Sequence, residues 1–205
     1  MRYLLTKFSV LLIALLLISV TPQLGVAQNV TLRTNLLYDA TLSPNLGGEV
    51  RLDSAWTAGL NFGINAWDIN KDTNKKWRHI LVSPNVRWYH NFKYKGDSLV
   101  TRRVNYLELD AIYSHFNVGN TKIPFGLYSA VKDRRLQGDL FALGGKYGYS
   151  WILSRDWRLE AEAGIAIGYA WFKEYECAHC GTFYGRGDRI FLLPQLGINV
   201  VYIIN

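Results

Sequence analysis

Residues 157–171 read Trp-Arg-Leu-Glu-Ala-Glu-Ala-Gly-Ile-Ala-Ile-Gly-Tyr-Ala-Trp. One parity is Trp157, Leu159, Ala161, Ala163, Ile165, Ile167, Tyr169 and Trp171. The other is Arg158, Glu160, Glu162, Gly164, Ala166, Gly168 and Ala170. A β-strand sends alternate side chains to opposite faces, so this segment has one apolar face and one face that is charged or small. The apolar face carries rings at both ends and aliphatics between. That is the profile of a strand crossing a bilayer, with rings at the interfaces and aliphatics in the hydrocarbon.

The same period recurs along the chain. Residues 30–42 set Val30, Leu32, Leu36, Tyr38, Ala40 and Leu42 against Thr31, Arg33, Asn35, Asp39 and Thr41. Residues 46–53 set Leu46, Val50 and Leu52 against Glu49, Arg51 and Asp53. Residues 56–67 place Trp56, Leu60, Phe62 and Ile64 on one face. Residues 78–89 set Ile80, Val82, Val86 and Trp88 against His79, Ser83, Asn85 and Arg87, with Pro84 marking a bulge or break because it has no N–H to donate. Residues 104–115 set Leu107, Leu109 and Tyr113 against Glu108, Asp110 and Ser114. Residues 139–152 set Phe141, Leu143, Tyr147, Tyr149 and Trp151 against Asp139, Ala142, Gly144, Lys146 and Gly148. Residues 189–204 end the series with Leu192, Leu196, Ile198, Val200 and Tyr202 outward. With the opening segment these make eight strands, the even number that single-chain outer-membrane barrels use. Short turns at 53–55 and 153–156 alternate with longer connections at 68–76, 116–138 and 173–188. The tight connection near Ser43–Asn45 and the long one near His90–Arg103 break the alternation. The expected fold is an all-β, eight-stranded antiparallel up-and-down transmembrane β-barrel.

A soluble, lipocalin-like barrel shares this period with its faces exchanged. Two features favour the membrane. Trp56, Trp88, Trp151, Trp157 and Tyr202 fall at one level on the apolar parity, and Tyr113, Phe141, Tyr169 and Trp171 at another, as two aromatic girdles. The opposite parity carries Arg33, Glu49, Arg51, Arg87, Glu108, Asp110, Lys146, Arg158, Glu160 and Glu162 among Gly and Ala. An eight-stranded interior is just wide enough to be filled by side chains, so a salt-bridged lumen plug is expected there. A gated ion or proton path is the alternative use of the same charges.

Residues 1–27 read as a signal peptide: Arg2 and Lys7, an apolar run from Phe8 to Val20, then Gly25-Val26-Ala27 before Gln28. The apolar run is shorter than the roughly 20 residues of a transmembrane helix. Residues 28–205 then form the single barrel domain, exported to the outer membrane. The residue directly after the cleavage site is Gln28 and not a cysteine, so no lipoprotein anchor is expected. The net charge is +7, of which Arg2 and Lys7 supply two. The rest is spread over predicted loops (Lys71, Lys75, Lys76, Arg78; Lys93, Lys95, Arg102, Arg103; Lys132, Arg134, Arg135), which suits lipid headgroups or solvent. No nucleic-acid partner is expected. Near the C-terminus, Gln195, Gly197, Val200 and Tyr202 have the spacing of the signal read by the outer-membrane assembly machinery, although the chain ends in Ile204-Asn205 and not on a ring.

Asn35-Leu-Leu-Tyr38-Asp39-Ala, Gly148-Tyr149-Ser-Trp151-Ile-Leu153 with Trp157-Arg-Leu159-Glu160, and Cys177-Ala-His-Cys180-Gly181 carry a resemblance over the whole mature chain. The chain resembles an uncharacterised family of Gram-negative outer-membrane barrels, domain of unknown function 3575. The resemblance implies a small barrel, sometimes encoded near surface-fimbria components. It implies no activity and transfers no catalytic residue.

Cys177 and Cys180 are the only cysteines. In an oxidising compartment they are disulfide candidates; a metal site with His179 is the alternative, short of the four ligands structural zinc takes. A lipid-modifying hydrolase is the rival class, drawing on Ser114, His115, His79 and Ser83. Ser114 and His115 are adjacent on a strand and face opposite ways. The reading is therefore a monomer without catalytic residues, cofactor or metal, its lumen filled. Its partners are outer-membrane lipid and lipopolysaccharide, the assembly machinery, and a surface protein met through the 116–138 and 173–188 loops, with Tyr128, Phe183 and Tyr184 as contact rings.

Overall fold

The computed structural model describes residues 30–66, 68–70, 75–90, 94–95, 98–99, 103–119, 134–176 and 181–204. The segment 1–27 read as a signal peptide, Tyr128 and the Cys177–Cys180 pair lie outside the described residues. Among those described, eight strands account for almost everything: β1 Val30–Asn35, β2 Asn45–Arg51, β3 Trp56–Asn65, β4 Lys75–His90, β5 Arg103–Gly119, β6 Arg134–Ile152, β7 Trp157–Glu176 and β8 Phe183–Ile204. Each pairs antiparallel with its sequence neighbours. β1 also pairs with β8, from Val30 opposite Ile204 to Asn35 opposite Asn199, so the sheet closes into an up-and-down ring, with β8 before Asn199 paired to β7 alone among the described residues.

The termini and the tight turns share one end of the ring, the near end. There the N–H groups of Leu52 and Asp53 reach Trp56 O, and those of Leu153 and Ser154 reach Trp157 O. The other connections, except the long one between β4 and β5, share the far end. Strand length is uneven: β1 and β2 have 6 and 7 residues, β7 and β8 have 20 and 22, so one wall of the ring stands taller at the far end.

Closure separates two environments. Among the described residues, 18 buried residues are polar or charged and 11 are hydrophobic. Large apolar side chains face outward instead, with Leu109 71 %, Ile190 72 % and Leu196 64 % exposed. The ordinary arrangement of a water-soluble fold is inverted.

The structure departs from the expected elements in four places and shows the expected local break at Pro84. Residues 30–42 do not form one strand. The chain leaves the sheet after Asn35 and makes a single helical turn, α1 Leu36–Ala40. Asn35 Oδ1 caps it by accepting from Leu37 N at 3.0 Å. The Asp39 carboxylate accepts from Thr34 Oγ1 at 2.8 Å and from Asn45 Nδ2 at 3.0 Å, and Asn45 Oδ1 accepts from Asn35 N at 2.7 Å. This polar knot outcompetes the ladder, and Leu42 with φ 58° returns the chain to β2. The 116–138 and 173–188 loops give up residues at both ends, because β5, β6, β7 and β8 continue into them. Phe183 and Tyr184 are strand residues, as are Lys75, Lys76, Arg78, Arg103, Arg134 and Arg135. The 68–76 connection contributes Asp68–Asn70, paired with the start of β4. Pro84 interrupts the β4–β5 ladder without shifting its register: Val82 opposes Tyr113 on one side and Asn85 opposes Asp110 on the other. Asp139 shares the outer face with Phe141; Tyr113 Oη donates to its carboxylate at 2.8 Å.

Large inward side chains are accommodated by glycine on the adjacent strand. Tyr106 opposes Gly148, where a Cβ would fall on the ring. Lys146 opposes Gly164, where a Cβ would lie 2.6 Å from Lys146 Cγ. Gly148→Ala is expected to lower unfolding stability by about 1–3 kcal/mol through overpacking. Gly48→Ala, whose Cβ would meet nothing within 4 Å, should change it little. Equilibrium denaturation of the two variants checks the difference.

Candidate functional site

The interior is layered along its axis. Tyr89, Val104 and Tyr106, with Ile152 packed against them, close the near end. Ile112, Ala142 and Ala166 with Leu81, Leu140 and Leu193 lie toward the far end. Val118 and Leu136 with Trp77, Phe116 and Phe172 lie beyond them. Between the floor and these apolar layers is a plug of ionised side chains.

Arg87 is its centre, 1 % exposed. Its Nε donates to Glu108 Oε2, its Nη1 to Glu160 Oε2 at 2.9 Å and its Nη2 to Glu162 Oε2 at 3.2 Å. Glu49 Oε2 lies 3.3 Å from Nη1, so one guanidinium from β4 gathers carboxylates of β2, β5 and β7. The planar fork offers five donors in fixed geometry, which a lysine could not match. Its Cζ sits 4.3 Å from the centre of the Tyr106 ring, and Tyr106 Oη donates to Glu162 Oε2 at 2.9 Å. Tyr89 Oη donates to Glu49 Oε1 at 2.9 Å.

Two further cations tie in the rest. Arg33 Nη1 lies 3.4 Å from Glu49 Oε2 and 3.5 Å from Glu108 Oε2, and its Nε donates to Asn61 Oδ1 at 2.8 Å. Lys146 Nζ lies 2.7 Å from Glu108 Oε1, 3.2 Å from Glu162 Oε1 and 3.8 Å from Asp110 Oδ2. Gln195 Nε2 donates to Asp110 Oδ2 at 2.9 Å. Arg158 is buried beside this group and Arg51 is half-buried at its near edge. Every one of the ten predicted lumen charges thus lies on the inner face, five acids and five bases. Sequence reasoning missed Tyr89 and Tyr106, which share that parity and supply both the floor and two hydroxyl donors. The signal was present: Tyr89 shares the parity of Arg87, and Tyr106 that of Glu108.

Above the plug is a polar cavity of about 60 Å³ lined by Arg33, Asn35, Tyr38, Asn61, Lys146 and Gln195 among others. At about 10–15 Å³ of such volume per water, it has room for a few. Arg33 Nη2, Gln195 Oε1 and Asn199 Nδ2 have no hydrogen-bond partner among the described residues, and bridging water would satisfy them.

The hydrolase candidates do not assemble. Ser114 is buried inside, whereas His115 is outside with Nδ1 2.8 Å from Asp139 Oδ1. His79, Ser83 and Asp110 line the interior cavity, but no hydrogen bond links them. Among the described residues no cluster of three or more His, Cys, Asp or Glu could hold a metal ion.

The girdle residues lie on the outer face at the expected two levels. Trp157 packs on Tyr202 with ring centres 5.0 Å apart at the near end, and Tyr169 on Trp171 at 6.0 Å at the far end. Trp56 opposes Trp88 across β3 and β4, Trp151 packs edge-on against Tyr149, and Tyr113 opposes Phe141. On the tall wall, Arg134 pairs with Glu174 and lies 4.0 Å from the Tyr184 ring; the Glu174 hydrogen bond holds the guanidinium above its ordinary pKa. Phe183 packs edge-on against Tyr175. Phe183 and Tyr184 remain more than half exposed.

Fold and interior together define a closed all-β ring with a charged, side-chain-filled centre and an apolar outside. The family described as Protein of unknown function (DUF3575) matches residues 10–204, and the chain belongs to it. No curated protein and no solved structure matches the chain.

Replacing Arg87 with Met strands four buried carboxylates, and its cost is expected at about 3–5 kcal/mol. Adding Glu160→Gln to Arg87→Met should recover part of the loss. Denaturant titration of the single and double variants measures both; additive losses would contradict the shared plug.

Proposed function

We propose that this chain is a small outer-membrane β-barrel, exported by its N-terminal segment, with a sealed lumen and a structural or surface-interaction role. The observation that carries the reading is the apolar belt between two aromatic girdles on the outside of a ring whose inside is ionic. A soluble protein would expose such a belt only at a cost in aggregation. The dimensions also agree. From Trp157 to Tyr169 is twelve residues of β7, about 40 Å along the strand at 3.3 Å per residue. Tilted by the roughly 45° usual for membrane strands, that becomes about 28 Å, close to a barrel's apolar band of about 25 Å.

The plug argues for a sealed barrel over a pore. Arg87 and its four carboxylates bridge opposite walls, and Tyr89, Val104 and Tyr106 close the near end beneath them. An ion would have to break buried, mutually neutralising pairs to pass. The orientation follows from the turns: tight turns at the near end face the periplasm, and the tall wall faces outward. Residues β5 115–119, β6 134–139, β7 171–176 and β8 183–188 then project past the membrane as a sheet that a surface partner could meet, Phe183 and Tyr184 among its exposed rings.

Cell fractionation should recover the protein in the outer membrane, and planar-bilayer recording should find no steady conductance. Proteolysis of intact cells should cut within 120–133 or 177–182 and spare 153–156. A soluble periplasmic protein would overturn the barrel reading; an open channel would overturn the plug.

A further inference from the structure

The outer face of the tall wall is built in rungs defined by the strand register. The first is Tyr113, Phe141, Tyr169 and Ile190, the far girdle. The next is His115, Asp139, Trp171 and Asp188. The third places Gln137, Lys173 and Arg186 side by side on β6, β7 and β8. Apolar rings thus give way to acids and then to cations within four residues of strand.

The acids of the second rung are already engaged. Asp139 accepts from Tyr113 Oη and faces His115 Nδ1, each at 2.8 Å, and Asp188 accepts from the Tyr169 hydroxyl. The cations of the third rung are not. Lys173 and Arg186 are exposed, directly opposite each other across β7 and β8, and neither has an ion pair among the described residues. Like charges directly opposed on one face of a sheet repel and destabilise the pairing unless an anion lies between them. One rung further out, beside the cleft, Arg135 stacks 4.3 Å from the Tyr175 ring, and its buried Nε has no hydrogen-bond partner among the described residues. Trp171, Lys173, Tyr175 and Arg186 line a cleft of about 530 Å³ that also takes in the engaged carboxylates of Asp139 and Asp188.

We propose that this cleft binds the phosphate of an outer-leaflet glycolipid headgroup, with Lys173 and Arg186 sharing the phosphate oxygens, Arg135 at the rim, and Trp171 and Tyr175 against the lipid's interfacial portion. The inference rests on the outer-membrane reading and gives that reading a partner and a site. Depth supports it. Two to four residues beyond Tyr169, at 3.3 Å each and tilted as above, is about 5–9 Å past the girdle. Headgroups occupy about that thickness outside the hydrocarbon on each side. A guanidinium and an ammonium converging on one phosphate form charge-assisted hydrogen bonds, and aromatic rings at this level suit the interface.

The test reconstitutes the mature chain into zwitterionic bilayer discs doped with bisphosphorylated lipid A or with its dephosphorylated form. Retained lipid is measured by native mass spectrometry. The phosphorylated form should be retained at least about tenfold better. Lys173→Gln/Arg186→Gln should abolish that preference, and Lys173→Arg should keep it. Millimolar inorganic phosphate should not displace the lipid. Equal retention of both lipids, or a double variant as selective as the parent, in discs that have taken up the protein overturns the site while leaving the barrel reading intact. Displacement by inorganic phosphate would make this a free-anion site and overturn the lipid assignment. A protein that remains soluble and never enters the discs overturns the barrel reading and this proposal together.

Discussion

Four carboxylates converge on one guanidinium inside this ring, and the rest of the molecule is arranged so that they can. Arg87 is fully desolvated, as are Glu49, Glu108 and Glu160. Each of those charges would be costly to bury alone, by several kcal/mol even after relaxation. Together they neutralise one another, with Arg33 and Lys146 sharing the load. Because the partners come from β2, β4, β5 and β7, the plug has its geometry only if the sheet closes in the observed register. A slip of one residue on any of these strands would turn its charge to the outside.

That constraint explains the small residues. A carboxylate or guanidinium reaching the axis needs its neighbours to stand back. Gly148 makes room for Tyr106, Gly164 for Lys146, and Gly47 for Arg33 and Asn61. Ala142 and Ala166 do the same for Ile112 in the layer above. The interior of a small closed sheet has a fixed cross-section, so each long side chain is matched by a short one on an adjacent strand. Packing and electrostatics are therefore specified by the same alternation.

Much of this was legible because period 2 survives any tertiary arrangement in which the two faces of a strand meet different solvents. β7 could be read without knowing its neighbours, since Trp157 to Trp171 and Arg158 to Ala170 sort themselves by parity. What escaped the reading were features that depend on a partner. Asn35 to Ala40 alternates well enough for a strand, yet Asn45, ten residues away, draws Asn35 and Asp39 into a helical turn. Tyr89 and Tyr106 look like girdle rings by type and are inner residues by position. The far ends of β5 to β8 contain Gly138, Gly185 and Gly187 with several charges, a composition that reads as loop. The ladder holds there because β5, β6 and β7 each have a partner on both sides and β8 is paired along the whole far end of β7.

An interior so fully committed has a consequence for where this protein can meet anything else. Its acids each lie against a cation or an amide, its near end is closed by rings, and its cavity is lined largely by groups that already bind one another. Within the barrel reading, the outside is divided as sharply. The belt between the girdles faces acyl chains and is specified only by apolarity. Among the described residues, the tall wall is where charges, rings and backbone are presented without internal partners having claimed them all. Lys173 and Arg186 mark the contrast most clearly. The plug sets one arginine among four acids, whereas the wall sets two cations face to face beside acids already engaged by Tyr113, His115 and Tyr169. In a fold that otherwise neutralises its charges pairwise, that pair is where an external anion would be stabilising, which locates recognition on the wall and support in the core.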